Sequence, residues 1–205
     1  MITLYHCPNT RSTGALSLLE ELGAPFDLHV MDLKAGENRQ PGYLAINPMG
    51  KVPAIVDGDA LITEQGAIFL YLADCFPQAG LAPPIGDPLR GPFLRWLFFY
   101  GSSFEPAVVD HATKREPAPA AMSPYGSYET VIETLRAALA PGPWILGERF
   151  SAADVLWGIA LNWTMMFGIV PKLPEFTAYA ERVLARPAIQ RANARDAELA
   201  AARGG

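Results

Sequence analysis

The sequence predicts an α/β domain followed by an all-α domain, and three observations support that prediction. Near the start, two alternating runs flank a helical pattern, which indicates a β-α-β unit. An Asp57-Gly58 pair then joins two short apolar runs in the manner of a β-hairpin. From Leu89 onward only helical periodicity recurs. We therefore expect the order β-α-β-α-β-β-α in the first domain and helices alone in the second.

Local patterns define each element of the first domain. Ile2–Tyr5 alternates as a strand, and residues 11–23 carry apolar side chains at helical spacing up to Gly23, a residue type that often ends helices. On the last helix, Cys75 shares the apolar face and is expected in the core. The remaining predicted elements are, in order, a strand over 25–31, a helical turn over 43–46, the two hairpin strands and a helix over 64–76.

The second domain follows a segment rich in Pro and Gly. We expect residues 1–77 to form the first domain, 78–88 a linker and 89–205 the second domain. Pro106 is expected to kink the first long helix, because proline lacks the N–H that the helix needs. Ser151 and Asp154 have the spacing of a capping box at the start of a core helix. The predicted helices are 89–115, 125–140, 152–168, 175–185 and 188–202.

Composition excludes several classes of function. The chain has 205 residues, 50% of them apolar, with a net charge of −5 and a pI near 5.2, so it offers no basic surface for nucleic acid. The start of the sequence lacks the pattern of a signal peptide, and the apolar stretch 155–170 is too short to span a membrane. We expect a cytoplasmic protein with two reduced cysteines.

The most informative segment is 47–65, which predicts a binding site for a short peptide. Val52 precedes Pro53 at a strand entrance, where its backbone N–H and C=O are left free to pair with an extended peptide. Glu64 and Gln65 open the next helix, whose free N–H groups suit a carboxylate, while the Glu64 side chain suits an ammonium group. The two charges of a free amino-acid end match this pair of groups.

This segment resembles the thioredoxin-like domain of cytosolic glutathione transferases, and the resemblance extends over nearly the whole chain. The Ser151-x-x-Asp154 pattern is also similar to one in the second domain of that family. The resemblance implies a cis Pro53, a backbone pairing of Val52 with the cysteinyl part of glutathione, and contacts of Glu64 and Gln65 with its γ-glutamyl end. Gln65 departs from the usual small hydroxyl residue. Lys51 and Gln40 are expected at the glycyl carboxylate.

The chemistry requires a group that stabilises the thiolate of glutathione, because a thiol with a pKa of about 8.5 is ionised only to a few per cent near neutrality. Aligned on the end of the first helix, the sequence is similar to a bacterial, serine/threonine-type, theta-like member, and Thr10 then takes the place of the activating hydroxyl. Alternatively, Thr10 merely caps the helix. Tyr5 falls where tyrosine-type members have their hydroxyl, and we expect it to be a strand residue packed against the second domain.

Cys7 provides an alternative. The segment Cys7-Pro8-Asn9-Thr10 has the spacing of a redox loop whose second cysteine is replaced, and a thiol near a helix N-terminus is acidified. Cys7 would then make this a glutathione-dependent thiol-disulfide oxidoreductase; a bystander cysteine is the other reading. His6 and His111 lack companions at metal-ligand spacing, so no metal is expected.

A hydrophobic co-substrate is expected between the two domains. The residues predicted for its wall come from two helices of the second domain: Phe104, Val108, Trp163 and Phe167. The resemblance implies a homodimer, with glutathione as co-substrate and a small apolar electrophile or organic peroxide as its partner in the reaction. A non-catalytic carrier of apolar ligands is a third possibility.

Overall fold

The computed structural model describes residues 1–116, 118–119 and 121–203. The chain forms two compact units: Met1–Ala79 together with the residues from Arg186 onward, and Gly80–Ala185. The final helix is therefore part of the first unit, which differs from the expected all-α domain over 89–205.

The first unit is built on a four-stranded sheet, in the part of the chain that the structure describes. Its elements are β1 (Ile2–His6), α1 (Ser12–Leu22), β2 (Phe26–Val30), α2 (Pro41–Leu44), β3 (Ala54–Asp57), β4 (Ala60–Ile62) and α3 (Gln65–Cys75). The strand order is β2-β1-β3-β4; β1 is parallel to β2 and antiparallel to β3, and β3 is antiparallel to β4. This arrangement confirms the predicted thioredoxin-like α/β fold.

Two predicted turns have the backbone conformation that their residue types favour. Gly23 ends α1 with φ 61°, and Gly58 lies in the hairpin with φ 58°. Cys75 was wrongly predicted as a core residue: it is exposed, because it is the last residue of α3 and lies beyond the buried face formed by Ile68 and Leu72.

The regular elements of the second unit are all helices in its described residues, as predicted, and two isolated β-bridges lie in the loop 144–149. It contains α4 (Arg90–Phe99), a π-helical turn (Tyr100–Phe104), α5 (Glu105–Ala112), α6 (Tyr128–Leu139), α7 (Ala152–Met166) and α8 (Pro174–Leu184). The irregularity predicted at Pro106 takes the form of this π-helical turn, in which the N–H of Glu105 bonds to the C=O of Tyr100. No helix in the described part of the chain is long and apolar enough to cross a membrane.

Trp157 occupies the core of the second unit. Its side chain is fully buried, and its Nε1 donates a hydrogen bond of 3.1 Å to the C=O of Trp96. Three aromatic rings meet it edge-on: Trp96, Tyr100 and Phe104. The neighbouring Gly158 has no room for a side chain, since a Cβ there would lie 2.5 Å from the Cβ of Val183 on α8. Helices α7 and α8 are therefore closely packed.

A buried carboxylate fixes the start of α7. Asp154 accepts hydrogen bonds from the N–H of Ser151 at 2.8 Å, from the hydroxyl of Ser151 at 2.9 Å, from the N–H of Ile145 at 2.7 Å and from the hydroxyl of Tyr179 at 2.8 Å. Burial raises the pKa of Asp154, against the effect of these donors. The predicted capping motif thus also ties α7 to the preceding loop and to α8.

The last helix, α9 (Pro187–Ala202), packs along α1 in the first unit. Its buried face consists of Ala188, Ile189, Ala192 and Asp196; three of these are apolar, and the two alanines are small enough to allow close approach. At the C-terminal end of α1, Glu21 forms a bidentate ion pair with Arg186, with N–O distances of 2.7 and 2.8 Å. The apolar face and this ion pair explain why α9 belongs to the first unit.

Candidate functional site

Three segments of the first unit converge at one end of its sheet. Tyr5 of β1 pairs with Ala54 of β3, so the loop that follows β1 lies beside the segment that precedes β3. The side chain of Gln65, at the start of α3, donates a hydrogen bond of 3.2 Å to the C=O of Arg11. The site is therefore formed by the loop 7–11, by the step from Val52 to Pro53 and by the start of α3.

The peptide bond between Val52 and Pro53 is cis, as predicted. Among the described residues, neither the N–H nor the C=O of Val52 has a hydrogen-bond partner. The preceding C=O of Lys51 is fixed by the hydroxyl of Tyr43 at 2.6 Å and the amide of Asn47 at 2.8 Å. Burial raises the pKa of Tyr43 to about 12, so its hydroxyl remains a donor. The backbone before Val52 is thus held while Val52 itself is open to a ligand.

The start of α3 presents both a carboxylate and free amide groups. Glu64 is exposed and has φ 67°, a conformation that is rare for residues other than glycine. The first intrahelical hydrogen bond is that of the Ile68 N–H to the Glu64 C=O, so the N–H groups of residues 65–67 lack partners among the described residues. These features match the predicted pair of an ammonium acceptor and a carboxylate binder.

Gln65 has a second role that the sequence does not reveal. Its Nε2 donates to the C=O of Arg11, the residue just before α1, and a Cβ at position 14 would lie 2.8 Å from that nitrogen, so only Gly14 leaves space for it. Its Oε1 is enclosed and lacks a hydrogen-bond partner in the part of the chain described. The other two residues expected at a glycyl carboxylate, Gln40 and Lys51, have exposed side chains.

Thr10 lies two residues before the first residue of α1 and is half-buried. Its Oγ1 is 2.7 Å from the C=O of Cys7 and 2.7 Å from Oγ of Ser12, and it accepts from the N–H of Ser12 at 3.2 Å. Thr10 therefore accepts a hydrogen bond from the first N–H of α1, which agrees in part with the alternative that Thr10 caps this helix. The ring of Tyr5 packs against those of Tyr43 and His29, in the first unit.

Cys7 is packed against the small apolar cluster that includes Met31 and Ala54. Burial raises the pKa of its thiol, and this effect exceeds the opposing influence of a backbone hydrogen bond at Leu33 and of Arg203. Its Sγ lies 3.7 Å from the C=O of Pro8. Cys7 therefore lacks the acidified environment of a reactive thiol.

Behind this loop lies a buried polar chain that the sequence analysis missed. Oγ of Ser12 is 2.9 Å from Nδ1 of His6, and Nε2 of His6 is 3.0 Å from Oδ1 of Asp196, close enough for an ion pair although the angle is poor for a hydrogen bond. Asp196 also accepts from the N–H of Asn9 at 3.0 Å and from the hydroxyl of Thr13 at 2.9 Å. Asn9 and Asp196 are 187 residues apart, so no local signal announces the pairing.

The residues predicted for a hydrophobic wall fall into two groups within the second unit. Phe104 and Val108 are buried, and Phe104 packs edge-on against Trp157, so both belong to the core of that unit. The helical spacing of Phe104 and Val108 in the sequence does not distinguish a core residue from a residue that lines a pocket. The rings of Trp163 and Phe167 are in contact at a tilt of 56°, with centroids 4.8 Å apart, and Phe167 is 60% exposed. This pair is the accessible part of the predicted wall.

Two family models match the chain: the N-terminal domain of glutathione S-transferases over residues 1–74 and their C-terminal domain over residues 104–187. Among curated proteins, the disulfide-bond oxidoreductase YfcG of Escherichia coli K12 is 32% identical over 202 residues, covering 92% of each chain. The glutathione S-transferase GstA of E. coli O157:H7 is 30% identical over 191 residues, covering 91% of this chain and 94% of its own.

A solved structure extends the likeness to three dimensions. The glutathione S-transferase of a sphingomonad, complexed with glutathione, superposes with a TM-score of 0.78 at 32% identity, covering 95% of this chain and 98% of its own. The likeness therefore spans both units.

Proposed function

This chain belongs to the glutathione transferase family of enzymes, and on that premise we propose that it activates the thiol of glutathione for attack on an apolar electrophile or an organic peroxide. The observation that supports this most directly is the open backbone of Val52 before the cis Pro53, together with the exposed Glu64 at the start of α3. An extended tripeptide pairs with Val52 through its cysteinyl residue. The thiol then lies next to the loop 7–11.

The two ends of glutathione meet complementary groups. The γ-glutamyl ammonium binds Glu64, and its α-carboxylate accepts from the free N–H groups at the start of α3. The glycyl carboxylate is received by Lys51 and Gln40. Binding at both ends fixes the sulfur in place, which reduces the entropic cost of the chemical step.

Thr10 and neighbouring N–H groups stabilise the sulfur anion. Lowering the thiol pKa by about 1.5 units requires about 2 kcal/mol. One hydrogen bond to a charged group contributes about 1.5–3 kcal/mol, and a helix N-terminus adds about 0.3–1 kcal/mol. The thiolate forms a bond to the electrophile as the leaving group departs, or attacks a peroxide oxygen as the O–O bond breaks.

Glu64→Gln is expected to weaken the binding of glutathione about tenfold, that is, by about 1.4 kcal/mol, because the amide cannot pair with the ammonium group. Isothermal calorimetry on the wild type and the variant measures this. Asp59→Asn, which removes an exposed carboxylate from the hairpin turn, is the matched control and should bind as the wild type does. A wild type that gives no heat with glutathione would refute the proposed function.

A second candidate function is glutathione-dependent disulfide exchange, which is favoured by the likeness to a protein named disulfide-bond oxidoreductase. The raised pKa of Cys7 argues that glutathione, and not Cys7, supplies the thiolate. The same activated sulfur then attacks a disulfide in place of an electrophile. Both reactions use one site.

Cys7→Ser is therefore expected to keep turnover within about twofold of the wild type, both with a chlorodinitrobenzene electrophile and with a small disulfide. Cys75→Ser, which changes an exposed cysteine at the end of α3, is the control. If Cys7→Ser abolishes disulfide reduction while glutathione still binds, the catalytic thiol belongs to Cys7.

We further infer that the apolar co-substrate contacts Trp163 and Phe167, that the enzyme acts as a homodimer in the cytoplasm, and that its role is detoxification. The exposed ring of Phe167 at the end of α7, which contacts the half-buried Trp163, supports the first inference, because large exposed apolar side chains often mark a binding surface. The other inferences rest on the family resemblance.

A further inference from the structure

We propose that Asp196 is a positioning residue, which holds the loop 7–11 in the conformation that meets the sulfur of bound glutathione. This inference rests on the proposed function, in which the thiol lies next to that loop. The last helix of the chain thereby becomes part of the support of the glutathione site.

The two oxygens of the Asp196 carboxylate bind both ends of one short segment. Oδ2 accepts a hydrogen bond of 3.0 Å from the N–H of Asn9, and Oδ1 accepts one of 2.9 Å from the hydroxyl of Thr13, in the first turn of α1. Thr10 lies between these two anchors. One side chain of α9 therefore fixes the segment that carries the proposed activating residue.

The loop depends on this anchor because Asn9 has an unusual backbone conformation. Its φ is 58°, in the left-handed region, which residues other than glycine adopt infrequently. Within the described residues, the bond to Asp196 is the one hydrogen bond that Asn9 makes. The bend at Asn9 is therefore held by α9 and not by its neighbours in the loop.

The hydrogen bonds within the loop form a separate group that leaves Asn9 out. The N–H of Cys7 donates to Oγ of Ser12 at 3.0 Å, and the hydroxyls of Thr10 and Ser12 lie 2.7 and 3.0 Å from the C=O of Cys7. These bonds join Cys7 to the start of α1. The outer bend of the loop, at Asn9, is fixed by Asp196 instead.

The anchored segment keeps a donor for a ligand. The N–H of Thr10, directly after Asn9, has no hydrogen-bond partner among the described residues. In the proposed function the sulfur lies beside this loop, where a main-chain N–H near a helix start stabilises an anion. A hydrogen bond weakens steeply when its angle departs from linearity. The N–H of Thr10 therefore acts on the sulfur only while the bend at Asn9 is held.

Burial makes Asp196 an effective anchor. The residue is 6% exposed, so water does not replace its bonds to Asn9 and Thr13. Burial raises the pKa of its carboxyl, but the hydrogen bonds from His6, Asn9 and Thr13 outweigh that effect and hold the pKa below its usual range. The carboxyl is therefore ionised near neutral pH, and both of its oxygens are acceptors.

The packing of α9 on α1 does not depend on Asp196 alone. Ala188, Ile189 and Ala192 belong to the same buried face, and Arg186 pairs with Glu21 at the C-terminal end of α1. A substitution of Asp196 is therefore expected to release the loop while α9 stays in place.

Asp196→Asn tests the proposal. An amide has one acceptor oxygen, so this variant loses one of the two anchors while the side chain keeps its size. The ultraviolet absorbance of the bound thiolate, followed against pH, should show the pKa of the glutathione thiol raised by about one unit, a tenfold loss of thiolate below that pKa. Binding of S-methylglutathione, which has no ionisable thiol, should stay within about twofold of the wild type.

Two further variants provide the comparison. Thr13→Val removes only the anchor on α1 and leaves the bond to Asn9, so it should raise the same pKa by a smaller amount. Glu21→Gln is the matched control, since Glu21 is likewise a buried carboxylate that joins α1 to the segment of α9, but at the other end of α1. It should leave the thiol pKa unchanged. Thermal unfolding of each variant is recorded alongside.

The outcomes separate the two proposals. If the wild type binds neither glutathione nor S-methylglutathione, the proposed function fails. If it binds both, yet Asp196→Asn and Thr13→Val leave the thiol pKa where Glu21→Gln leaves it, the role of Asp196 is overturned and the proposed function stands. A loss of S-methylglutathione binding in Asp196→Asn would also overturn that role, because it would show a general need of the fold for this carboxylate.

Discussion

Thr10→Val is expected to raise the pKa of the thiol of bound glutathione by about one to two units, because it removes the hydroxyl that, in the proposed function, donates to the sulfur anion. At neutral pH the fraction of thiolate, and with it kcat/KM, should fall by about ten- to a hundredfold. Valine keeps the shape of threonine, so the affinity for S-methylglutathione should change little. Titration of the bound thiolate by ultraviolet absorbance, together with initial rates, measures both quantities.

Thr10→Ser is the control for this prediction. It keeps the hydroxyl and its distances to the Cys7 C=O and to Ser12, so the pKa of the bound thiol should remain low. If Thr10→Val leaves that pKa unchanged while binding is intact, backbone N–H groups alone stabilise the anion, and Thr10 serves only as a cap for α1.

Asp154→Ala is expected to lower the free energy of unfolding by about 3–5 kcal/mol. The substitution leaves the N–H of Ile145, the N–H of Ser151 and the hydroxyl of Tyr179 without their acceptor in the interior of the second unit. Each buried donor left unpaired costs about 1–3 kcal/mol, partly offset because the buried carboxylate is itself desolvated. Urea unfolding followed by tryptophan fluorescence reports the loss.

Asp110→Ala provides the comparison within the same unit. Asp110 also accepts from a tyrosine hydroxyl, that of Tyr125 at 2.7 Å, but its side chain is 24% exposed. Water can take over its hydrogen bonds, so the expected cost is below about 1 kcal/mol. Equal losses in the two variants would contradict the argument that burial of Asp154 decides the size of the effect.

Much of the fold follows from local patterns in the sequence. The Asp57-Gly58 hairpin, the end of α1 at Gly23 and the capping motif at Ser151 are each encoded by residue types with a definite backbone preference. Segments with such signals lie where the sequence predicts them. The placement of α9 does not follow in this way, because helical periodicity shows that a face is apolar but not which helix covers it.

The candidate site was predictable where one segment carries several of its parts. Val52, Pro53, Glu64 and Gln65 lie within 14 residues of sequence, and the structure brings them to one end of the sheet. The contact of the Gln65 side chain with the start of α1 was not predictable, because it depends on the space that Gly14 leaves. His6 and Asp196 were missed because their pairing depends on the docking of α9.

The discontinuous composition of the first unit also affects how the protein is made. A ribosome releases residues 1–79 long before it translates the segment that contains Asp196, since the whole second unit is synthesised in between. At about 5–20 residues per second, a nascent chain spends several seconds or more in this incomplete state. During that interval α9, which packs against α1, has not been synthesised. The carboxylate of Asp196, which binds the N–H of Asn9, is therefore absent as well. The glutathione-binding end of the enzyme therefore reaches its final form only after the codons of α9 have been read.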